Sequence, residues 1–233
     1  MKIREAWALP TLTGSITQAK KMNSQTPVWP FMVAMAVVVT ASNFLVQYPF
    51  EHFGLGEILT WGAFTYPVAF LITDLTNRTF GVRAARKLVL IGFILAFGIS
   101  AWLASPRIAI ASGMAFLCAQ LLDVSIFDRL RNGTWWKAPF ISSFCGSVLD
   151  TIIFFGIAFA ARFAFLDTSL GLEDGSLAFA VPLLGFGPEV PLWVSLGLGD
   201  FLVKISIALL MLVPYGALLS VFQPMIKSAR RVI

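Results

Sequence analysis

The chain has 233 residues, 58% of them hydrophobic and only 12% charged, with 22 phenylalanines and a mean hydropathy of +0.84. A soluble domain carries roughly 25% charged residues, so this balance excludes a soluble fold and reads as an all-α, polytopic membrane protein. The formal net charge of +5 implies no nucleic-acid partner, because basic loops orient membrane chains and face anionic lipid.

Residues 1–28 contain no apolar run between a basic start and a small-residue cleavage site, so they read as a cytosolic N-terminal tail and not as a signal peptide. Within this tail, residues 3–12 form at most a weakly amphipathic segment lying on the membrane surface. Windows of about 20 residues, the length that crosses ~30 Å of hydrocarbon, predict six spans. They fall at 29–47, 57–77, 87–104, 107–127, 139–163 and 192–214, with 215–222 as an extension of the last. Ser105 and Pro106 mark a tight turn between the third and fourth spans, since proline cannot continue the preceding helix. The spans form one transmembrane domain over residues 29–222, followed by a basic cytosolic tail at 223–233. The external stretch 166–191 is too apolar for a solvated linker and is expected to fold back on the membrane face, either as a lid or as an interfacial hairpin.

Six spans put both termini on one side. Assigning them to the cytosol places 14 of the 17 basic residues there, leaving Arg107 and Arg162 outside and Lys204 buried. Cys118 and Cys145 lie in apolar stretches with no zinc or dithiol spacing and read as packing groups; no metal or cofactor motif is present. His52, in a short external loop beside Glu51, reads as a surface histidine.

The informative residues are the polar ones inside the spans. Each charged group at a bilayer centre costs on the order of 3 kcal/mol, so Asp74, Asp123, Asp150, Asp200 and Lys204 need a reason to be there. Positions three or four apart share a helical face. Phe70, Asp74 and Asn77 form one stripe beyond a kink expected at Pro67; Gln120 and Asp123 form another, with Phe116 and Phe127 a turn to either side. Ser143, Ser147, Asp150 and Phe154 form a third, and Asp200 with Lys204 a predicted ion pair, structural or gating. Such stripes must face the bundle interior or a water-filled cavity. Four buried aspartates against one lysine leave about −3 if all are ionised, an imbalance that protonation relieves, which makes a carboxyl on a transport path a candidate for proton coupling.

Residues 64–81, FTYPVAFLITDLTNRTFG, resemble the signature of the VUT-type queuosine precursor transporter family. The similarity continues through Gln120-Leu-Leu-Asp123 and Phe127, the serine-rich 142–151 segment, and Lys204 with Pro214 beyond it. The resemblance implies a six-transmembrane-helix bundle akin to the substrate-binding S-components of energy-coupling-factor importers. It also implies uptake of 7-cyano-7-deazaguanine or related precursors, including 7-aminomethyl-7-deazaguanine, across a bacterial inner membrane.

A flat deazapurine presents a guanine-type donor edge that carboxylates and amides accept, and a face on which aromatic rings stack. Asp74, Asn77, Gln120, Asp123 and Asp150 supply the first kind of group, and Phe70, Phe127 and Phe154 the second. An intramembrane enzyme is disfavoured, because the single histidine lies outside the spans and neither His-Glu-x-x-His nor Gly-x-Ser-x-Gly occurs. A channel is disfavoured because the polar groups are scattered over four helices without a repeated pore segment. The apolar exterior suits a homodimer as readily as a monomer.

Overall fold

The computed structural model describes residues 27–52 and 59–230, with side chains to Leu219. The tail segment 3–12 lies outside the described residues. In chain order the elements are α1 (Trp29–Leu45), α2 (Gly62–Thr65), α3 (Pro67–Phe80), α4 (Val82–Leu103), α5 (Pro106–Leu130), α6 (Lys137–Phe159) and α7 (Phe165–Thr168). A short hairpin, β1 (Ala180–Pro182) and β2 (Glu189–Pro191), then leads into α8 (Leu192–Arg230).

Four of these helices are long and apolar enough to cross a membrane: Val82–Leu103, Pro106–Leu130, Lys137–Phe159 and the Leu192–Leu219 part of α8. The other two predicted spans form shorter helices. α1 is apolar but has 17 residues, and the predicted second span becomes α2 and the 14-residue α3, broken at Pro67. Proline supplies no N–H to the preceding turn, which is the physical reason for the break. Tyr66 between them keeps helical angles (φ −57°, ψ −41°), so α2 and α3 are one kinked rod.

Nine of the 14 residues of α3 are buried, including the unbroken run Ile72 to Asn77. A helix covered on every side lies at the centre of a bundle, and α3 packs against α1, α4, α5, α6 and α8. Central placement, not lipid contact, is what lets so short and polar a helix exist here. Gly81 ends it with φ +84° while its N–H donates to the Asn77 carbonyl (2.9 Å), a left-handed turn that only glycine adopts without strain. The chain reverses at once into α4. α5 starts at Pro106, capped by the Ser105 hydroxyl, which accepts from the Ile108 N–H (3.3 Å), as the Ser-Pro spacing predicts.

The apolar core has two parts. Met35, Val39, Ile72, Leu88, Val89, Phe116 and Val124 fill the space among α1, α3, α4 and α5. Leu75, Phe127, Ala138, Tyr215 and Leu219 fill that among α3, α5, α6 and α8. Large apolar side chains such as Ile94, Trp102, Ile152 and Val213 stand 63–84% exposed on the outer surface, while the interior holds the buried carboxylates and amides. This inside-out distribution is what a lipid environment demands. α8 continues through Pro214 to Arg230 without ending, so the predicted tail 223–230 extends this helix. In the 166–191 segment the structure forms α7 and the hairpin, in which Val181 pairs with Val190.

α5 and α6 form the most extensive helix pair among the described residues, and Gly146 makes the approach close. A Cβ there would meet Phe70 Cε1 at 2.8 Å and the Ala119 carbonyl at 3.3 Å. Gly146→Ala is therefore expected to destabilise the protein by about 1–3 kcal/mol through overpacking, measurable as a lowered thermal midpoint of the purified protein.

Candidate binding site

Two ends of the bundle are distinguishable. At one, the α4–α5 turn, α7 and the hairpin gather; at the other, Arg78, Arg83, Arg86, Lys87, Arg129, Arg131 and Lys137 cluster where α3 meets α4 and α5 meets α6. These are called here the hairpin end and the basic end.

A partly open cavity of about 140 Å³ lies toward the hairpin end. The C-terminal ends of α1 and α4, with the residues just past them, contribute Asn43, Val46, Leu103 and Ala104, and its polar wall comes from Tyr66, Asp150, Asp200 and Lys204, with Phe154 beside them. Lys204 is 5% exposed, and its Nζ donates to Asp150 Oδ2 (2.6 Å) and to Asp200 Oδ2 (2.5 Å). The Tyr66 hydroxyl donates to the other Asp150 oxygen (3.0 Å), and the Thr151 hydroxyl donates to Asp200 (3.4 Å). The Lys204 ammonium also lies 5.3 Å from the centre of the Tyr66 ring, a favourable cation–π position. With both carboxylates ionised, one ammonium between them leaves this wall with a formal charge of −1. It can accept hydrogen bonds from a ligand's donor edge, and Lys204 can donate to an adjacent acceptor.

The predicted i,i+4 pair of Asp200 and Lys204 exists, but Asp150 from α6 joins it. Asp150 and Lys204 are 54 residues apart, so helical spacing alone assigns them to separate groups. Tyr66 has no place in the sequence-predicted set. Its signal was available, because it lies one turn before Phe70 on the same helical face.

Asp74, Asn77, Gln120 and Asp123 are brought together, but in a second layer that does not line this cavity. Phe70 and Phe116 lie between the layers, each with its ring centre 6.1 Å from that of Tyr66, and Phe70 fills the gap against Gly146. Beneath them the Thr73 hydroxyl donates to Gln120 Oε1 (2.7 Å), the Asn77 amide to the Val124 carbonyl (3.0 Å) and the Ser142 hydroxyl to Asp74 Oδ1 (3.5 Å). Phe127 sits deeper still, at the basic end. There the Arg78 guanidinium lies 5.2 Å from its ring centre and donates to the Tyr215 hydroxyl (3.1 Å) and to the Arg131 carbonyl. The stack from hairpin end to basic end is thus a charged cavity, an aromatic floor, a buried carboxyl–amide layer and an arginine plug.

Arg107 is a second residue whose role sequence reasoning does not find: its position at the start of the fourth span reads only as an external-side charge. It is 1% exposed. Its guanidinium donates to the carbonyls of Ile157 (2.8 Å) and Ala160 (2.7 Å), to Asp167 Oδ2 (2.8 Å) and, at longer range, to Ser176 Oγ (3.2 Å) and Asp174 Oδ1 (3.4 Å). It therefore ties the start of α5 to the end of α6 and to the loop beyond. The Ser176 hydroxyl and amide hold the exposed Asp174 carboxyl below the usual carboxylate range. Among the described residues, no group of three or more His, Cys, Asp or Glu is placed to hold a metal ion.

A multi-pass helical bundle with an apolar outside, a cavity with one charged wall inside and a polar layer continuing toward the opposite end has the form of a membrane transporter. The family model described as "Putative vitamin uptake transporter" matches residues 60–104 and 99–218, and the chain belongs to that family. It is 35% identical over 206 residues to the "Queuosine precursor transporter" of Escherichia coli strain K12, covering 79% of this chain and 82% of that protein. It is also 35% identical over 216 residues to the "Probable queuosine precursor transporter" of Haemophilus influenzae, covering 79% and 83%. A Bacillus subtilis protein of the same description is 25% identical over 212 residues, covering 79% and 80%. No solved structure matches the chain significantly. These relatives are named as transporters, and this chain is a transporter and not an enzyme.

Proposed function

We propose that this protein imports queuosine precursors, 7-cyano-7-deazaguanine or its 7-aminomethyl relative, across the bacterial inner membrane as a stand-alone secondary transporter. The observation that carries this reading is the Tyr66–Asp150–Lys204–Asp200 wall of the cavity, taken with the relatives' shared description.

A carboxylate can accept the N–H donors of a guanine edge, a lysine can donate to its carbonyl or to a nitrile, and Phe154, which lines the cavity, can offer its ring to the base's face. A cavity of about 140 Å³ is close to the ~150 Å³ that encloses benzene. A bicyclic base therefore fills it and extends into its open mouth. On this reading α1 and the α2–α3 rod complete six crossings, like those of energy-coupling-factor S-components. The rod needs no apolar outer face because neighbours surround it. Both termini are then cytosolic and the hairpin end is external, which agrees with the basic residues at the opposite end.

The test is queuosine content of tRNA in a bacterium lacking its own importer and its precursor synthesis, fed either compound. The chain is expected to restore the modification. Asp150→Asn is expected to lower it at least tenfold while membrane abundance holds, because Asp200 still pairs Lys204 in that variant. Unchanged modification in D150N would remove the cavity from the transport path. Proteoliposomes containing this chain alone separate a stand-alone carrier from a component of an ATP-driven importer, since the latter takes up nothing without its ATPase.

A further inference from the structure

The carboxyl–amide layer beneath Phe70 is unused by the cavity, and its buried atoms are incompletely satisfied. Asp123 is 0% exposed, and neither of its carboxyl oxygens accepts a well-formed hydrogen bond from an N–H or hydroxyl group; Asn77 Oδ1 on the facing helix lacks one too, and the buried Gln120 and Arg78 side chains each keep one nitrogen unpartnered. Orphaned buried acceptors of this kind are rare and costly. Asp74, on the same helical face as Asn77, lies within hydrogen-bonding reach of Asp123, and Ser142 from α6 completes the group. Neither carboxylate takes part in an ion pair among the described residues. The other charged or titratable groups facing the pair are Arg78, one turn along α3, whose positive charge acts on Asp74 and whose Nη2 is buried without a partner, and Tyr215 on α8, whose hydroxyl accepts from Arg78 Nε. What is left is a buried group of oxygen atoms from α3, α5 and α6 with up to two formal negative charges, neither of them in an ion pair, and with Arg78 one helical turn away.

We propose that Asp74, Asp123, Asn77 and Ser142 bind a single monovalent cation, a proton or Na⁺, and that this is the site through which uptake is coupled to an ion gradient. Hard oxygen donors suit such an ion, and a charge inside the bilayer region is tolerable only when paired or coordinated. The site lies on the far side of the Phe70 floor from the cavity, yet α3 carries residues of both, Tyr66 above and Asp74 below. A shift of this one rod moves both sites, which gives the coupling a physical route. The inference rests on the proposed transport function only for its purpose; the binding itself stands or falls separately.

The experiment uses the purified full-length protein, with choline chloride exchanged for NaCl or KCl at constant ionic strength, and the choline series repeated at mildly acidic pH. The thermal midpoint of the wild type is expected to rise by about 3–6 °C with Na⁺ or with acid, at roughly ten times the dissociation constant. The response is expected to vanish in Asp123→Asn and Asp74→Asn and to persist in Asp150→Asn. A wild type that responds to neither Na⁺ nor acid, or a D123N variant that responds as the wild type does, overturns the proposal. Equilibrium binding of 7-cyano-7-deazaguanine to the same samples separates the remaining cases. If D123N keeps the cation response and loses the base, Asp123 with the unpartnered Gln120 amide reads the nucleobase edge, and the cation site falls. If the wild type shows the cation response and binds no base, the cation site holds and the proposed substrate fails.

Discussion

Lys204→Met is expected to be the most damaging single substitution in the cavity, abolishing precursor uptake and lowering stability by about 3–5 kcal/mol. Among the described residues, Lys204 is the only cation paired with Asp150, which is buried, and with Asp200, which is partly exposed to the cavity, at 2.6 and 2.5 Å. Removing it strands the buried Asp150 charge and leaves Asp200 unpaired at the cavity wall, and an uncompensated buried charge costs far more than the pair contributed. The outcome for Asp150→Asn differs in kind. There Lys204 keeps Asp200, the Tyr66 hydroxyl keeps an acceptor in the side-chain amide, and the fold survives without the carboxylate face. The triple variant D150N/D200N/K204M, which has no charge to strand, is expected to recover most of the lost thermal midpoint and none of the uptake. Uptake by the triple variant above one-tenth of the wild-type rate would mean that the wall has a structural role alone.

Arg107→Met should have an effect of similar size on stability, through a different structure. The guanidinium is fully enclosed and bonded to two backbone carbonyls and three side chains. Methionine preserves the volume but orphans the Ile157 and Ala160 carbonyls and leaves Asp167, itself 3% exposed, without its cation. A loss of about 3–5 kcal/mol follows from breaking a buried ion pair. Limited proteolysis between α6 and β1 is expected to accelerate, because this arginine ties that loop to the helix ends. Asp167→Asn should cost less, since the carbonyl bonds remain. A double-mutant cycle between positions 107 and 167 should return a coupling of about 1 kcal/mol or more. A coupling near zero would show that the backbone bonds alone anchor the loop.

The two charged clusters also show where local pattern stops being informative. Asp200 and Lys204 are one helical turn apart, so their pairing is readable from spacing. Asp150 belongs to the same cluster but reaches it across 54 residues of chain, and stripe analysis therefore groups it with the amide-bearing helices. Arg107 reads as an external charge at the start of a span because it follows Ser-Pro at a helix start. Its partners lie 50–69 residues away, and no local signal announces them. Conversely, the aspartate and amide stripes of α3 and α5 do meet, as period and polarity require, since lipid offers them no partner.

Helix boundaries follow the same division. The Ser105–Pro106 turn and the Pro67 break were legible, because proline acts through its own ring and its missing N–H. Hydropathy windows count six apolar stretches but cannot see that one of them is a short rod enclosed by the others, because enclosure is a property of neighbours. Composition and periodicity alone settle that the chain lives in a membrane, that its polar groups face inward and which faces carry them. These properties depend on each residue's own solvation and on contacts within one helical turn. The tertiary structure decides which inward-facing groups share a cavity, which are sealed beneath Phe70, and that Arg107 is a buried clasp. Those outcomes depend on contacts between residues far apart in the chain, made only when the helices pack.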